Sequence, residues 1–202
     1  MTGDTRETIL LTAERLFAER GFGVSLREIG AAAGQRNHSA VQYHFGTKER
    51  LARALYEYRM VPLNQRRMAL IEEIHATDRE HDIPSLVDAY VRPLAEYVLL
   101  HRGASWYLRF IARHSLSGLA PYWPFPEDYT RGITMLTDML TAALPGLSAV
   151  RLSTMNLHLS MVLAGLELQL EDHAFSESQA REVIDDLFTT MGAILTAPAR
   201  AV

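Results

Sequence analysis

Cysteine is absent from the 202-residue chain, and lysine occurs once, as Lys48. Without cysteine there can be no disulfide and no cysteine-built metal site, and the redox state of the compartment is not constrained. Long apolar segments are also missing, because the longest uncharged apolar run, residues 157–166, is far shorter than the ~20 residues of a membrane helix. The polar start MTGDTRETILL lacks the features of a secretory signal. We therefore expect a globular, cytoplasmic protein.

Enzyme and metal signatures are missing too. No serine lies in a glycine-flanked nucleophile elbow, and no glycine-rich loop could bind a phosphate. His75, Asp78 and His81 lie in a charged linker, without the spacing that places two histidines on one helix face. We predict no catalytic residue, no cofactor and no metal.

The charge balance differs along the chain. Residues 1–50 carry seven Lys/Arg against six Asp/Glu, and residues 51–202 carry thirteen against eighteen, for a net charge of −4 overall. The N-terminal excess is slight. A small nucleic-acid reader, however, needs a few well-placed cations and not a high overall charge.

Helical periodicity dominates, and no alternating strand pattern is convincing. We predict an all-α fold of about nine helices in two parts, residues 1–46 and 47–202. Two helices contain prolines, Pro62 and Pro93, which should kink or break them. The predicted helices are residues 5–20, 25–34, 37–45, 47–76, 84–101, 104–116, 127–144, 148–172 and 176–197, with a proline- and aromatic-rich loop at 117–126.

Capping signals mark the ends of these helices. Ser25 with Glu28, and Ser176 with Gln179, have the spacing of a capping box, in which each side chain accepts from the other's backbone N–H. Glycines follow the first three helices, as is typical of helix ends. The other predicted caps are Asp4, Asn37 and Thr47, and the predicted stops are Gly21, Gly34 and Gly46.

The third helix has the properties of a DNA-reading element. At helical spacing Val41 and Phe45 face inward, whereas His38, Ser39, Gln42 and Tyr43 face outward. A helix enters the major groove of B-DNA and reads base edges through such side chains. Gln42 suits an adenine edge, and Ala40 a thymine methyl group.

Other residues nearby suit the phosphate backbone. Tyr43 and His44 can donate to phosphates. Lys48 lies at a helix N-terminus, where free N–H groups also attract anions. Arg27, on the preceding helix, can hold the opposite strand.

Three segments resemble the N-terminal region of the TetR (tetracycline-repressor) family of bacterial regulators: AERLFAERGF, SLREIGAAAG and AVQYHFGTKERL. The resemblance covers roughly residues 5–56. Ten residues, Gln35 to His44, separate Gly34 from Phe45, where the family pattern has nine. The extra residue lengthens the turn and makes the register of Arg36 uncertain.

The resemblance implies a C-terminal helical core that binds a small ligand, and a dimer built from the last two long helices. Residues 148–172 are apolar on nearly every side, so that helix must be covered all round. The last helix has an apolar stripe at Ile184, Leu187, Phe188, Met191 and Leu195. A monomer core is the alternative explanation of both patterns.

Candidate ligand-binding residues are aromatic, methionine and histidine side chains, which suit a mostly apolar ligand. For each one, ordinary core packing is the more frequent role. Arg102, Arg109 and Arg113 lie on one stripe that could receive an anionic effector, although a solvated face is the favoured interpretation. The candidates are Tyr90, Tyr97, Tyr107, Phe110, His114, Tyr122, Trp123, Met139 and His158.

We therefore predict a homodimeric transcriptional repressor that binds a near-palindromic operator on double-stranded DNA and is released by a small-molecule effector. Two alternatives remain. One is a helical small-molecule-binding protein that no longer reads specific DNA, and the other is an activator of the same fold.

Overall fold

The computed structural model describes residues 5–37, 39–116 and 127–198, and it confirms the all-α fold. Asp4 and the loop 117–126 lie outside the described residues. The helices of the described residues are α1 (Thr5–Arg20), α2 (Leu26–Ala32), α3 (Ala40–Phe45), α4 (Lys48–Ala76), α5 (Ile83–Leu100), α6 (Tyr107–Leu116), α7 (Glu127–Ala143), α8 (Ala149–Glu171) and α9 (Glu177–Thr196).

Most helix ends agree with the capping signals, but two helices begin three residues later than predicted. Helix α3 begins at Ala40 because the Asn37 side chain accepts from the Ser39 N–H at 2.9 Å and holds that segment in a turn. Asn37 is therefore not the N-cap. Helix α6 begins at Tyr107 because the Ser105 hydroxyl accepts from the Tyr107 N–H at 3.1 Å.

The two internal prolines do not break their helices. Helix α4 runs for 29 residues through Pro62, and α5 runs for 18 residues through Pro93. Buried apolar residues on either side of Pro62, including Met60 and Leu63, hold α4 against the core. Tertiary packing therefore outweighs the lost backbone hydrogen bond.

Helix α6 joins the two parts of the fold. It packs between α1 and α8, while α4 packs on α5 and α7, and α8 packs on α9. One continuous apolar core runs from Ile9 in α1 to Leu195 in α9. The small N-terminal part is therefore packed directly onto the larger helical body.

A buried ion pair fixes α1 at this joint. The Glu14 carboxylate accepts from Arg59 Nε at 2.7 Å and Nη2 at 3.1 Å, and both residues are buried. The same carboxylate accepts from the Trp106 N–H at 2.9 Å, just before α6 begins. Glu14 thus connects α1, α4 and α6.

A second buried carboxylate holds the same end of α6 from the other side. Glu167 of α8 accepts from the Arg109 N–H at 3.1 Å and from the Leu108 N–H at 3.4 Å. Arg109 also pairs with Glu167 and with Glu171, so one cation is shared by two carboxylates. Burial, the largest influence, raises the pKa of Glu167 to about 7.

Candidate nucleic-acid interface

Helix α2 is fixed at both ends by local hydrogen bonds. Ser25 and Glu28 form the predicted capping box, and Glu28 also pairs with Arg20. Hydrogen bonds from the Ser25 N–H, then from the Ser25 hydroxyl and Arg20, lower the pKa of Glu28 to about 2. Gly34 ends the helix with φ +69°, a conformation that favours glycine.

Helices α2 and α3 cross closely at Gly30. A Cβ atom at residue 30 would lie 3.2 Å from Cγ2 of Val41, so only glycine permits this approach without displacement. Gly46, with φ +75°, ends α3, and the Thr47 hydroxyl accepts from the Arg50 N–H at 3.2 Å to begin α4. Helices α1, α2 and α3 therefore form a helix-turn-helix unit, and α4 follows it directly.

The faces of α3 are arranged as predicted. Val41 and Phe45 are buried against the rest of the unit, whereas Gln42, Tyr43 and His44 are exposed. Tyr43 is 86 % exposed, an unusual placement for a large aromatic side chain. The outward face of α3 thus presents several donors and one aromatic ring to a partner.

The other predicted contact residues differ in accessibility. Ser39 and Arg27 are exposed, whereas Ala40 is half-buried. His38 lies outside the described residues. Most of the predicted contact side chains among the described residues are therefore accessible to a partner.

Lys48 is less free than the sequence suggested. It is the first residue of α4, as expected, but its Nζ donates to the Phe22 carbonyl between α1 and α2. The side chain is half-buried. Lys48 therefore links α4 to the turn before α2. A phosphate bound by Lys48 would have to lie beside this turn.

Two further arginines, which were not among the predicted contact residues, lie on the segments that flank α3. Arg36 in the α2–α3 turn and Arg50 in the first turn of α4 are exposed, and neither side chain is ion-paired within the described part of the chain. The Arg50 guanidinium lies beside Gly46, at the end of α3. Arg27 is likewise exposed and unpaired among the described residues, whereas Arg20 is held by Glu28. Arg50 could have been predicted from the sequence, because it lies in the same first helical turn as Lys48.

The sequence of this unit matches the family model for bacterial regulatory proteins of the tetR family over residues 9–55. The helix-turn-helix unit therefore belongs to the tetR family of bacterial regulatory proteins, whose members are DNA-binding transcriptional regulators. The match begins within α1 and ends in α4, so it covers the helix-turn-helix unit and the start of the body. A comparison with curated proteins gave no match.

Beyond this tetR-like unit, the residues predicted to bind a ligand fall into separate groups. Tyr97 and Tyr107 are in edge contact at 5.8 Å, and Phe110 and His114 continue the series toward the helix-turn-helix unit. There Phe22 lies 6.2 Å from Phe110 and 5.6 Å from His114, measured between ring centroids. This aromatic series fills the joint between the two parts of the fold.

The remaining candidates lie elsewhere. Tyr90 is buried and donates to Asn156, whereas half-buried His158 bonds Thr190 in a groove between α8 and α9. Met139 is half-buried on α7. Tyr122 and Trp123 lie outside the described residues. Tyr90 and Tyr107 are the candidates that lie near the one unpaired buried cation of the described residues, Arg67.

The three arginines of the predicted stripe have partners. Arg102 pairs with Glu177, and Arg113 donates to the Ala18 carbonyl. Arg109 pairs with two carboxylates, as described above. Arg102 and Arg113 are exposed and Arg109 is half-buried, so the stripe is largely a solvated face whose cations have partners within the chain.

No described helix combines the length and apolar character that a membrane span requires. The described residues also contain no cluster of His, Asp or Glu that could hold a metal ion.

Proposed function

We propose that the protein is a cytoplasmic, homodimeric repressor that binds a near-palindromic operator and releases it when a small ligand binds the helical body. The observation that supports DNA reading most directly is the outward face of α3. It places Gln42, Tyr43 and His44 in solvent. Arg27 on α2 and Arg50 on α4 add exposed guanidiniums that have no ion-pair partner among the described residues.

The apolar outer face of α8 supports the dimer. Four residues of this face are 41–76 % exposed and recur at intervals of seven, four and seven, as in a helix-packing seam. Beside them, α8 and α9 form a groove of about 360 Å³ that includes Val162 and Val183. We infer that a second copy covers this face. The four residues are Val150, Leu157, Met161 and Leu168.

The predicted stripe of α9 plays a different part. Ile184, Leu187, Met191 and Leu195 are buried within the protomer, and Phe188 is half-buried. The α9 stripe therefore belongs to the protomer's own core. The dimer we propose rests on α8, with the polar outer face of α9 at its edge.

A symmetric dimer would place two copies of α3 in successive major grooves, ~34–36 Å apart. Footprinting of the DNA upstream of the reading frame, at about 0.1 M salt, should show a protected near-palindrome. If footprinting shows no protected site and selection from a random duplex pool enriches no sequence, the protein is a helical ligand-binding protein that does not read specific DNA. If the protein binds the operator and raises transcription in a reporter assay, it is an activator.

Substitutions should separate base contacts from phosphate contacts. Gln42→Ala and Ser39→Ala should change which operator is preferred. Arg27→Ala, Arg50→Ala and Lys48→Ala should weaken binding to all sequences alike and reduce the salt slope by about one unit per head.

Arg181→Ala, which removes an exposed guanidinium on α9, is the control and should change neither property. Thermal unfolding of Lys48→Ala would report any loss from the Phe22 contact. If the base-contact variants and the phosphate-contact variants change operator preference and salt slope equally, the division into base and phosphate contacts is wrong.

A further inference from the structure

Arg67 of α4 is a buried cation without a counterion among the described residues. Its side chain is 1 % exposed, and its Nε and Nη1 atoms have no hydrogen-bond partner in the described part of the chain. Burial lowers its pKa, but an arginine guanidinium still stays charged at neutral pH. A charge in that position is unfavourable unless an anion approaches it.

A second buried arginine of the same helix does have a counterion. Arg59, two turns earlier on α4, is buried but receives two hydrogen bonds from the Glu14 carboxylate. No described carboxylate faces Arg67. Unlike Arg59, Arg67 therefore has no ion-pair partner within the described part of the chain and is available to bind an anion from outside it.

Three tyrosines interact electrostatically with Arg67. They are Tyr56, Tyr90 and Tyr107. Burial raises the pKa of Tyr56 to about 12, and it raises those of Tyr90 and Tyr107 as well. The phenols therefore stay neutral at physiological pH and cannot neutralise the guanidinium.

Arg67 also lies where α7 meets α4. The Gly132 N–H of α7 donates to Asn64 Oδ1 of α4 at 2.9 Å. A Cβ atom at residue 132 would lie only 3.1 Å from Cδ of Arg67. An anion that binds Arg67 would thus bind at the α4–α7 contact, on the helix whose first residue, Lys48, belongs to the DNA-binding end.

We propose that Arg67 binds the anionic head of the effector, and that this effector is a small organic acid with an apolar body. One guanidinium with neutral phenols around it fits one negative charge, as on a carboxylate, and not a phosphate dianion. The tyrosine rings and core residues receive the apolar body. This inference rests on the proposed ligand-released regulator and names the chemical class of its ligand.

The test compares acids with their neutral amides. Octanoate and 2-naphthoate, and separately octanamide and 2-naphthamide, are titrated into the full-length protein by calorimetry without DNA. The wild type should bind an acid about tenfold more tightly than its amide, or better, because a charge-assisted hydrogen bond is lost in the amide. Arg67→Met should remove this preference, and Arg131→Met, at an exposed arginine of α7, should retain it.

The unliganded variants give a second readout. Arg67→Met should melt at the wild-type temperature or above, because it removes an uncompensated buried charge. If Arg67→Met melts at a lower temperature and still binds acids more tightly than amides, the proposal is wrong, because Arg67 would then have a partner within the protein. Absence of any acid preference in the wild type would also overturn it. Arg67→Gln replaces Arg67→Met if that variant does not fold, with the same expected loss of preference.

Failure of this inference and failure of the proposed function can be told apart. The calorimetric comparison contains no DNA, so its result does not depend on finding an operator. If the acids bind through Arg67 but leave operator occupancy unchanged, the site stands and the ligand-released repressor is wrong. If octanoate or 2-naphthoate lowers operator occupancy in the wild type and not in Arg67→Met, both are supported.

Discussion

Glu14 belongs to the first helix of the DNA-binding part, yet its carboxylate is buried in the joint with the helical body. Glu14→Gln should leave the Arg59 charge buried without its counterion. Breaking such a buried pair from one side lowers the free energy of unfolding by about 3–5 kcal/mol. Urea denaturation monitored by circular dichroism would measure the loss.

The exposed pair between Arg66 and Glu96 is the matched control. It also joins two helices by two hydrogen bonds, but it lies in solvent. Glu96→Gln should therefore change the free energy of unfolding by less than about 1 kcal/mol. Similar losses for Glu14→Gln and Glu96→Gln would show that Glu14 does not act as a buried partner.

Glu167 should make stability depend on pH. Its pKa is about 7 in the folded protein against 4.5 for an ordinary glutamate, so between these values the folded state binds more protons than the unfolded state. The free energy of unfolding should then fall as pH rises from 4.5 to 7, by no more than about 3 kcal/mol from this group. Below pH 4.5 the carboxyl is protonated in both states and this contribution is complete.

Glu167→Gln isolates the effect. The difference in free energy of unfolding between wild type and variant, measured in urea at several pH values, should decline across this window. A flat difference would mean that the shared Arg109 charge keeps the carboxylate ionised throughout.

At the scale of the element, α4 carries an unfavourable residue in its interior. Pro62 is exposed in the middle of a helix that otherwise runs unbroken for 29 residues. Pro62→Ala should restore a backbone donor and raise the free energy of unfolding by about 1–3 kcal/mol. Pro84→Ala is the control, because proline near the start of α5 is already favourable. No gain at Pro62 would indicate that α4 is bent there for packing.

Capping residues made most helix ends predictable, because Ser25, Thr47 and Ser176 act through neighbours within four residues. The late start of α6 was not predictable, because it depends on Ser105 and on carboxylates 59 to 92 positions away. The outward face of α3 followed from periodicity alone. The Lys48 contact with Phe22 and the isolation of Arg67 depend on packing between distant segments, and no spacing in the sequence reveals them.

At the scale of the whole molecule, the exposed face of α8 sets the expected assembly. Leu157→Asp or Met161→Arg would place a charge in the proposed seam and should convert the dimer to a monomer. Light scattering after gel filtration would give the mass, and operator affinity should fall because two heads no longer bind together.

Leu100→Asp makes a comparable change at an exposed leucine of α5, away from the α8 seam, and should leave the mass unchanged. A monomeric wild type, or equal effects of all three substitutions, would rule out this face as the interface.

The start of α6 has a consequence for hydrogen exchange. The first amides of a helix usually exchange quickly with solvent, because they lack partners within the helix. Here the amides of Trp106 and Arg109 donate to buried carboxylates of α1 and α8. Deuterium should therefore enter this helix end only when α1 or α8 detaches from it, so the exchange rate of these amides would report the opening of the joint between DNA reader and body.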